Sequence, residues 1–185
     1  MILGLVGSEM CIRDRAEVAD LEEAAQLERL ADPDFRHTLI TEESVYPDSD
    51  VQILTELMAT AFTMQYELSD GFDYEPSAQQ SIAYLAEQAG VSGAEYAYDL
   101  LMSDGGRGFI YFPLLNYADG NLNFLEPVLQ SDDCINSLSD GGAHCGTVCD
   151  AASPTFMLQH WVRDREGFKL SLSQAIKRQC ADTAK

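Results

Sequence analysis

The chain has 185 residues, 31 aspartates and glutamates against 11 lysines and arginines, and a net charge of −20. Such acidity argues against binding nucleic acid or docking on an anionic membrane, both of which need Lys and Arg to neutralise phosphate, and no apolar run approaches the length of a membrane span. The length suffices for one domain with a sizeable core.

The N-terminal segment opens on an apolar hexapeptide, residues 1–6, followed by GSEMCIRDR. Residues 16–32 are predicted as a helix, with Val18, Leu21, Ala25, Leu27 and Leu30 spaced among acids. Asp32-Pro33 ends it, and Pro33 opens the next helical turn. Residues 42–50 read as loop, 52–61 as helix and 62–68 as a short strand. Asp70-Gly71 marks a turn inside the loop 69–76.

Ser77 is predicted to cap a helix with Ile82, Leu85 and Ala86 on its apolar face, and Gly90 to stop it. Ser92 starts the following helix, with Ala94, Ala97, Tyr98 and Leu101 on its apolar side. Asp104-Gly105-Gly106 turns the chain into residues 108–114, an aromatic and aliphatic run without alternation, as in a buried parallel strand. Residues 116–120 are loop, 122–129 a short helix interrupted by Pro127, and 134–138 the next strand. Residues 153–164 read as a helix, and 171–185 as an amphipathic helix without a terminal cap. Strands alternating with helices point to a parallel α/β architecture.

The five cysteines, Cys11, Cys134, Cys145, Cys149 and Cys180, form no CxxC pair and no disulfide scaffold. Cys145 and Cys149, with His144 beside them, are too few and wrongly spaced for a zinc site. Reduced cysteines and a cytoplasmic location are the expectation.

The stretch 136–165, NSLSDGGAHCGTVCDAASPTFMLQHWVRDR, holds the candidate chemistry. A short apolar segment delivers Asp140 into a Gly-Gly turn, with His144 close behind. A strand ending in Asp and then glycines is how a (β/α)8 barrel presents a catalytic side chain at its C-terminal face; Asp-Gly-Gly is also an ordinary turn.

This stretch resembles the last-strand region of the amidohydrolases, in the branch of the D-aminoacylases or N-acyl-D-amino-acid deacylases. The likeness extends to FDYEP at 72–76, the paired helices of 77–101, and GFIYFPLLNYADGN at 108–121. It covers most of 72–185 with order and spacing kept, and is looser over 16–69. The fold it implies is a partial (β/α)8 TIM-type barrel, its C-terminal strands and helices only. The activity it implies is metal-dependent hydrolysis of an amide bond in an N-acyl amino acid or related small molecule. Another cyclic-amide or carbamoyl hydrolase, or a barrel-derived binding module without chemistry, stays open.

The resemblance also assigns roles. Asp140 stands at the metal, against its bound water, takes the proton and helps pass one to the leaving nitrogen. A carboxylate within reach of such a water can act as base and then as acid. His144 is either a substrate contact or a histidine packed at the barrel mouth. Asn116, Tyr117 and Asn121 either touch the acyl part of the substrate or brace loops. Arg163 and Arg165 either pair a substrate carboxylate or find internal acids, and His37 and His160 are expected to be packing or surface residues. Zinc is the implied cofactor, but the family's His-x-His, its bridging ligand and its later histidines have no match here and are expected upstream of Ala16. Residues 5–15, LVGSEMCIRDR, resemble the translation of a transposase-based sequencing adapter; the alternative is a genuine N-terminal strand. Glu9 and Asp14 balance Arg13 and Arg15, so the acidity belongs to 16–185, expected to be a barrel section truncated at both ends.

Overall fold

A computed structural model describes residues 18, 20–41, 57, 59–113, 116–136 and 152–184. These residues are mixed in class and rich in helix. They belong to two compact units, one from Met1–Phe72 and Pro76–Leu115, the other from Asp73–Glu75 and Asn116–Lys185.

In the first unit, α1 (Glu23–Leu30) is shorter than the predicted 16–32. Asp32 accepts the Phe35 amide at 2.8 Å and so caps α2 (Pro33–Thr41), with Pro33 in the first turn, where its missing N–H costs nothing. The helices α3 (Ile82–Ala89) and α4 (Gly93–Leu101) follow. Gly90 takes φ +72° and ends α3, as expected. Ser92 and Glu95 close a capping box on α4. Ser77 has a smaller part than predicted: with Gln80 it caps the 3-10 turn Ala78–Gln80, while Ser81 caps α3 through the Tyr84 amide. Arg36 on α2 grips Asp99 on α4 with two hydrogen bonds of 2.9 Å, and the Tyr98 hydroxyl donates to the Leu30 carbonyl at 2.8 Å, one of the orphan acceptors at the end of α1. Leu30, Phe35, Ile82, Ala86, Ala97 and Leu100 are buried here.

The sheet departs from the expectation. Residues 108–113 do not form a buried parallel strand. Only β2 (Ile110–Tyr111) is extended in a ladder, and it pairs antiparallel with β1 (Tyr66–Glu67), Tyr66 facing Tyr111. Phe109 is half exposed, and Pro113, which has no N–H to donate, blocks continuation. The aromatic run is used in ring packing instead: Tyr111 lies 4.9 Å from the Phe72 ring, edge on. Gly108 lets this segment run against α4; an added Cβ would lie 1.8 Å from the Leu100 carbonyl oxygen.

In the second unit, α5 (Leu125–Gln130) carries Pro127 in its first turn. The strand expected at 134–138 is absent where the structure describes it: residues 134–136 are irregular, Ile135 is exposed, and the Cys134 carbonyl accepts from Arg178 rather than from a ladder. Helix α6 (Ser153–Leu158) runs directly into a π-helical turn, Gln159–Asp164. Helix α7 (Leu172–Ile176), capped by Ser171 with Gln174, likewise runs into a second π turn, Lys177–Ala181. Trp161, Leu170, Leu129, Leu122, Tyr117 and Ala175 form the core. No described helix is long and apolar enough to cross a membrane.

Candidate functional site

The chemistry-bearing side chains of the second unit converge on Glu75. Its backbone N–H donates to Asp73 Oδ1 at 2.9 Å, a tight local turn that orients the residue before Pro76. The loop 116–123 is likewise built from turn residues. Asn116 takes φ +62° and Gly120 +66°. Asn121 donates through Nδ2 to the Asp119 carbonyl and accepts the Asn123 amide through Oδ1, both at 3.0 Å. The loop ends where the Leu122 N–H donates to Glu75 Oε2 at 2.9 Å.

The π turn supplies the other half. The Arg165 N–H donates to the His160 carbonyl at 2.9 Å, five residues back. This i→i+5 pattern stacks residues five apart, where an α-helix would splay them. His160 and Arg165 therefore reach the same oxygen: His160 Nε2 lies 3.0 Å, and Arg165 Nε 2.6 Å, from Glu75 Oε1. A carboxylate that accepts from Arg165 can only accept from the ring too, so His160 carries its proton on Nε2. Arg165 also donates through Nη1 to Glu126 Oε1 at 2.9 Å and to the Phe168 carbonyl at 3.1 Å, and through Nη2 to Asn123 Oδ1 at 2.5 Å. Its guanidinium lies over Trp161, 4.6 Å from the ring centre. His160 stacks on Phe156 at 5.1 Å and meets Trp161 and Tyr74 edge on.

The Arg165 and His160 side chains are each 2% exposed, so a missing partner here would leave a costly buried group. Burial works against the charged form of Glu75, but the Leu122 amide, Arg165 and His160 together hold its carboxyl below the ordinary glutamate value. Burial pushes His160 below the ordinary histidine value, only partly opposed by Glu75. The result is an ionised carboxylate beside a neutral imidazole. With both oxygens engaged and an arginine on it, Glu75 is a poor proton acceptor. The cluster is built to hold three chain segments together rather than to move protons.

No family model, curated protein or solved structure matches the chain.

Asp140 and His144 lie outside the described residues. Asn116 is exposed at the start of the loop and is not a member of the Glu75 cluster. Asn121 braces the loop through its own backbone contacts. Arg163 pairs with its neighbour Asp164, and Arg165 with Glu75 and Glu126, so both arginines find internal acids. His160 is a packing residue, as read from the sequence, and His37 is exposed on α2. Among the described residues no three His, Cys, Asp or Glu side chains come together to hold a metal ion. The Glu75–His160 pair already has a guanidinium on the shared oxygen, so these residues do not fit zinc. Glu75 was missed: one acid among 31 carries no local mark of burial. The single usable signal was the five-residue spacing of His160 and Arg165, which a 3.6-residue period does not bring together.

Proposed function

We propose that the chain is a section of a metal-dependent amidohydrolase resembling the N-acyl-D-amino-acid deacylases, drawn from the C-terminal part of a (β/α)8 barrel. The observation that carries this reading is the run 111–165, whose YFPLLNYADGN and SDGGAH motifs keep the family's order and spacing. In this reading water adds to the amide carbonyl, the C–N bond breaks, and a carboxylic acid and a free amine leave. Asp140 takes the proton from the attacking water and delivers it to the leaving nitrogen. His144 and Asn116 contact substrate. Zinc is the cofactor of the whole enzyme, with ligands supplied from outside the described residues. Arg165 is saturated by its own chain, so it is not assigned to the substrate carboxylate.

The test is to recover the upstream coding sequence, express the longer protein, and assay a panel of N-acyl-D- and N-acyl-L-amino acids beside cyclic amides. Turnover of the D-series is expected, and Asp140→Asn should cut it by about 10²–10⁴-fold with the fold intact, the usual share of a general acid–base group. Absence of His-x-His upstream, or turnover within a few-fold of the parent in Asp140→Asn, would overturn the reading.

A further inference from the structure

We infer that Glu75 and Arg165 are positioning residues that set the loop 116–123, and with it Asn116, against the substrate; the substrate part of this rests on the amidohydrolase reading above. The loop's own hydrogen bonds, Asn121 to Asp119 and Asn123 to Asn121, stiffen it internally, and the buried Tyr117 side chain seats it in the core. Its C-terminal end is held by two adjacent residues. The Leu122 N–H is taken by Glu75 Oε2, and Asn123 Oδ1 accepts from Arg165 Nη2. These bonds fix where the loop leaves the core, and Asn116 stands six residues upstream at φ +62°. Arg165 is in turn placed by the π turn that follows α6. The loop that would bind and the end of α6 are thus both referred to one carboxylate.

Neither residue touches substrate in this proposal, so the experiment must separate positioning from folding. In the chain itself, hydrogen exchange is followed amide by amide in the wild type, Glu75→Gln, Arg165→Lys and Asn123→Ala. Asn123 is exposed, so its variant cuts the Arg165 bond to the loop without dismantling the buried cluster. Exchange of residues 117–123 should rise about tenfold or more, the loss of one charge-assisted hydrogen bond, while the amides around Trp161 keep their protection in Asn123→Ala. In the longer enzyme, Asn123→Ala and Arg165→Lys should raise KM by about tenfold with kcat within a few-fold, the mark of lost ground-state binding; a folding defect lowers the active fraction and leaves KM alone. Unchanged loop exchange in all three variants, or an unchanged KM with reduced kcat, overturns the positioning role. A wild-type enzyme that turns over no amide overturns the amidohydrolase reading and the loop's substrate role, while the exchange result still decides whether the pair anchors the loop.

Discussion

Replacing Arg165 by methionine tests the central cluster most directly. Methionine fills much of the same volume but removes every donor, so Glu75, Glu126, Asn123 and the Phe168 carbonyl each lose a partner. Breaking a buried ion pair from one side costs about 3–5 kcal/mol, because the other charge stays behind unpaired. Glu75 keeps the Leu122 amide and His160, and Glu126 is 30% exposed and can rehydrate, which places the expected loss at the lower end. The guanidinium's contact with the Trp161 face adds about 0.5–2 kcal/mol. A total of about 3.5–5 kcal/mol corresponds to roughly 10–15 °C in Tm for a chain of this size. The assay is built in: Trp161 is the chain's single tryptophan, is 1% exposed, and lies under the substituted side chain. Urea unfolding followed by its fluorescence gives the stability change, with circular dichroism as a second probe. Glu75→Leu in the same background should recover part of the loss, since removing both charges is far cheaper than removing one. A loss under about 1 kcal/mol in Arg165→Met, or additive behaviour in the double variant, would show that the cluster is a surface ion pair in energetic terms and that the reasoning fails.

Acid should weaken the same unit. Glu75 and His160 both have folded values below their ordinary ones, so the unfolded chain takes up protons first; their stability is full above the ordinary values and is lost as pH falls, from about pH 6.5 for His160 and from about 4.5 for Glu75. Tm measured from pH 8 to 4 should therefore decline below about 6.5, and His160→Phe should flatten the upper part of that decline; a wild-type Tm that rises on acidification contradicts the assignment. Gly108→Ala drives a methyl group to within 1.8 Å of the Leu100 carbonyl oxygen, and a cost of about 1–3 kcal/mol is expected from the forced backbone shift; a denaturation midpoint equal to the wild type's would show that the approach is not tight. Deleting residues 1–15, the stretch that resembles adapter-derived sequence, should move Tm by no more than about 2 °C, and a larger drop would mean that the segment belongs to the fold.

Local chemistry was legible and pairing was not. Asp32-Pro33, Gly90 and Ser92 act where the sequence placed them, because a cap or a left-handed terminus involves residues within four positions of one another. Ser77 was misassigned by one turn, since Ser81 offers the same hydroxyl nearer the helix. The failures are long-range. Nothing within 108–114 says that its partner is Tyr66–Glu67, more than forty residues earlier and running the other way. Residues 134–136 look like a strand by composition, yet Arg178 takes the carbonyl a ladder would have used. Arg165 was correctly given an internal acid as one alternative, but the choice of Glu75 required knowing that a loop, a turn and a helix end meet there.

The π turn makes the spacing between His160 and Arg165 unequal in what it tolerates. In this turn the N–H reaches back five residues; in a regular α-helix it reaches back four. Removing one exposed residue between them, such as Arg163, would let the segment relax to α-helix with the histidine and arginine four apart, again one turn above each other and again facing Glu75. Adding one residue has no such refuge, because residues six apart on an α-helix point about 120° away from one another and a six-residue spacing exceeds the reach of the π turn, so the guanidinium would swing away from the carboxylate it neutralises. The segment can shrink without losing its clamp, but it cannot grow.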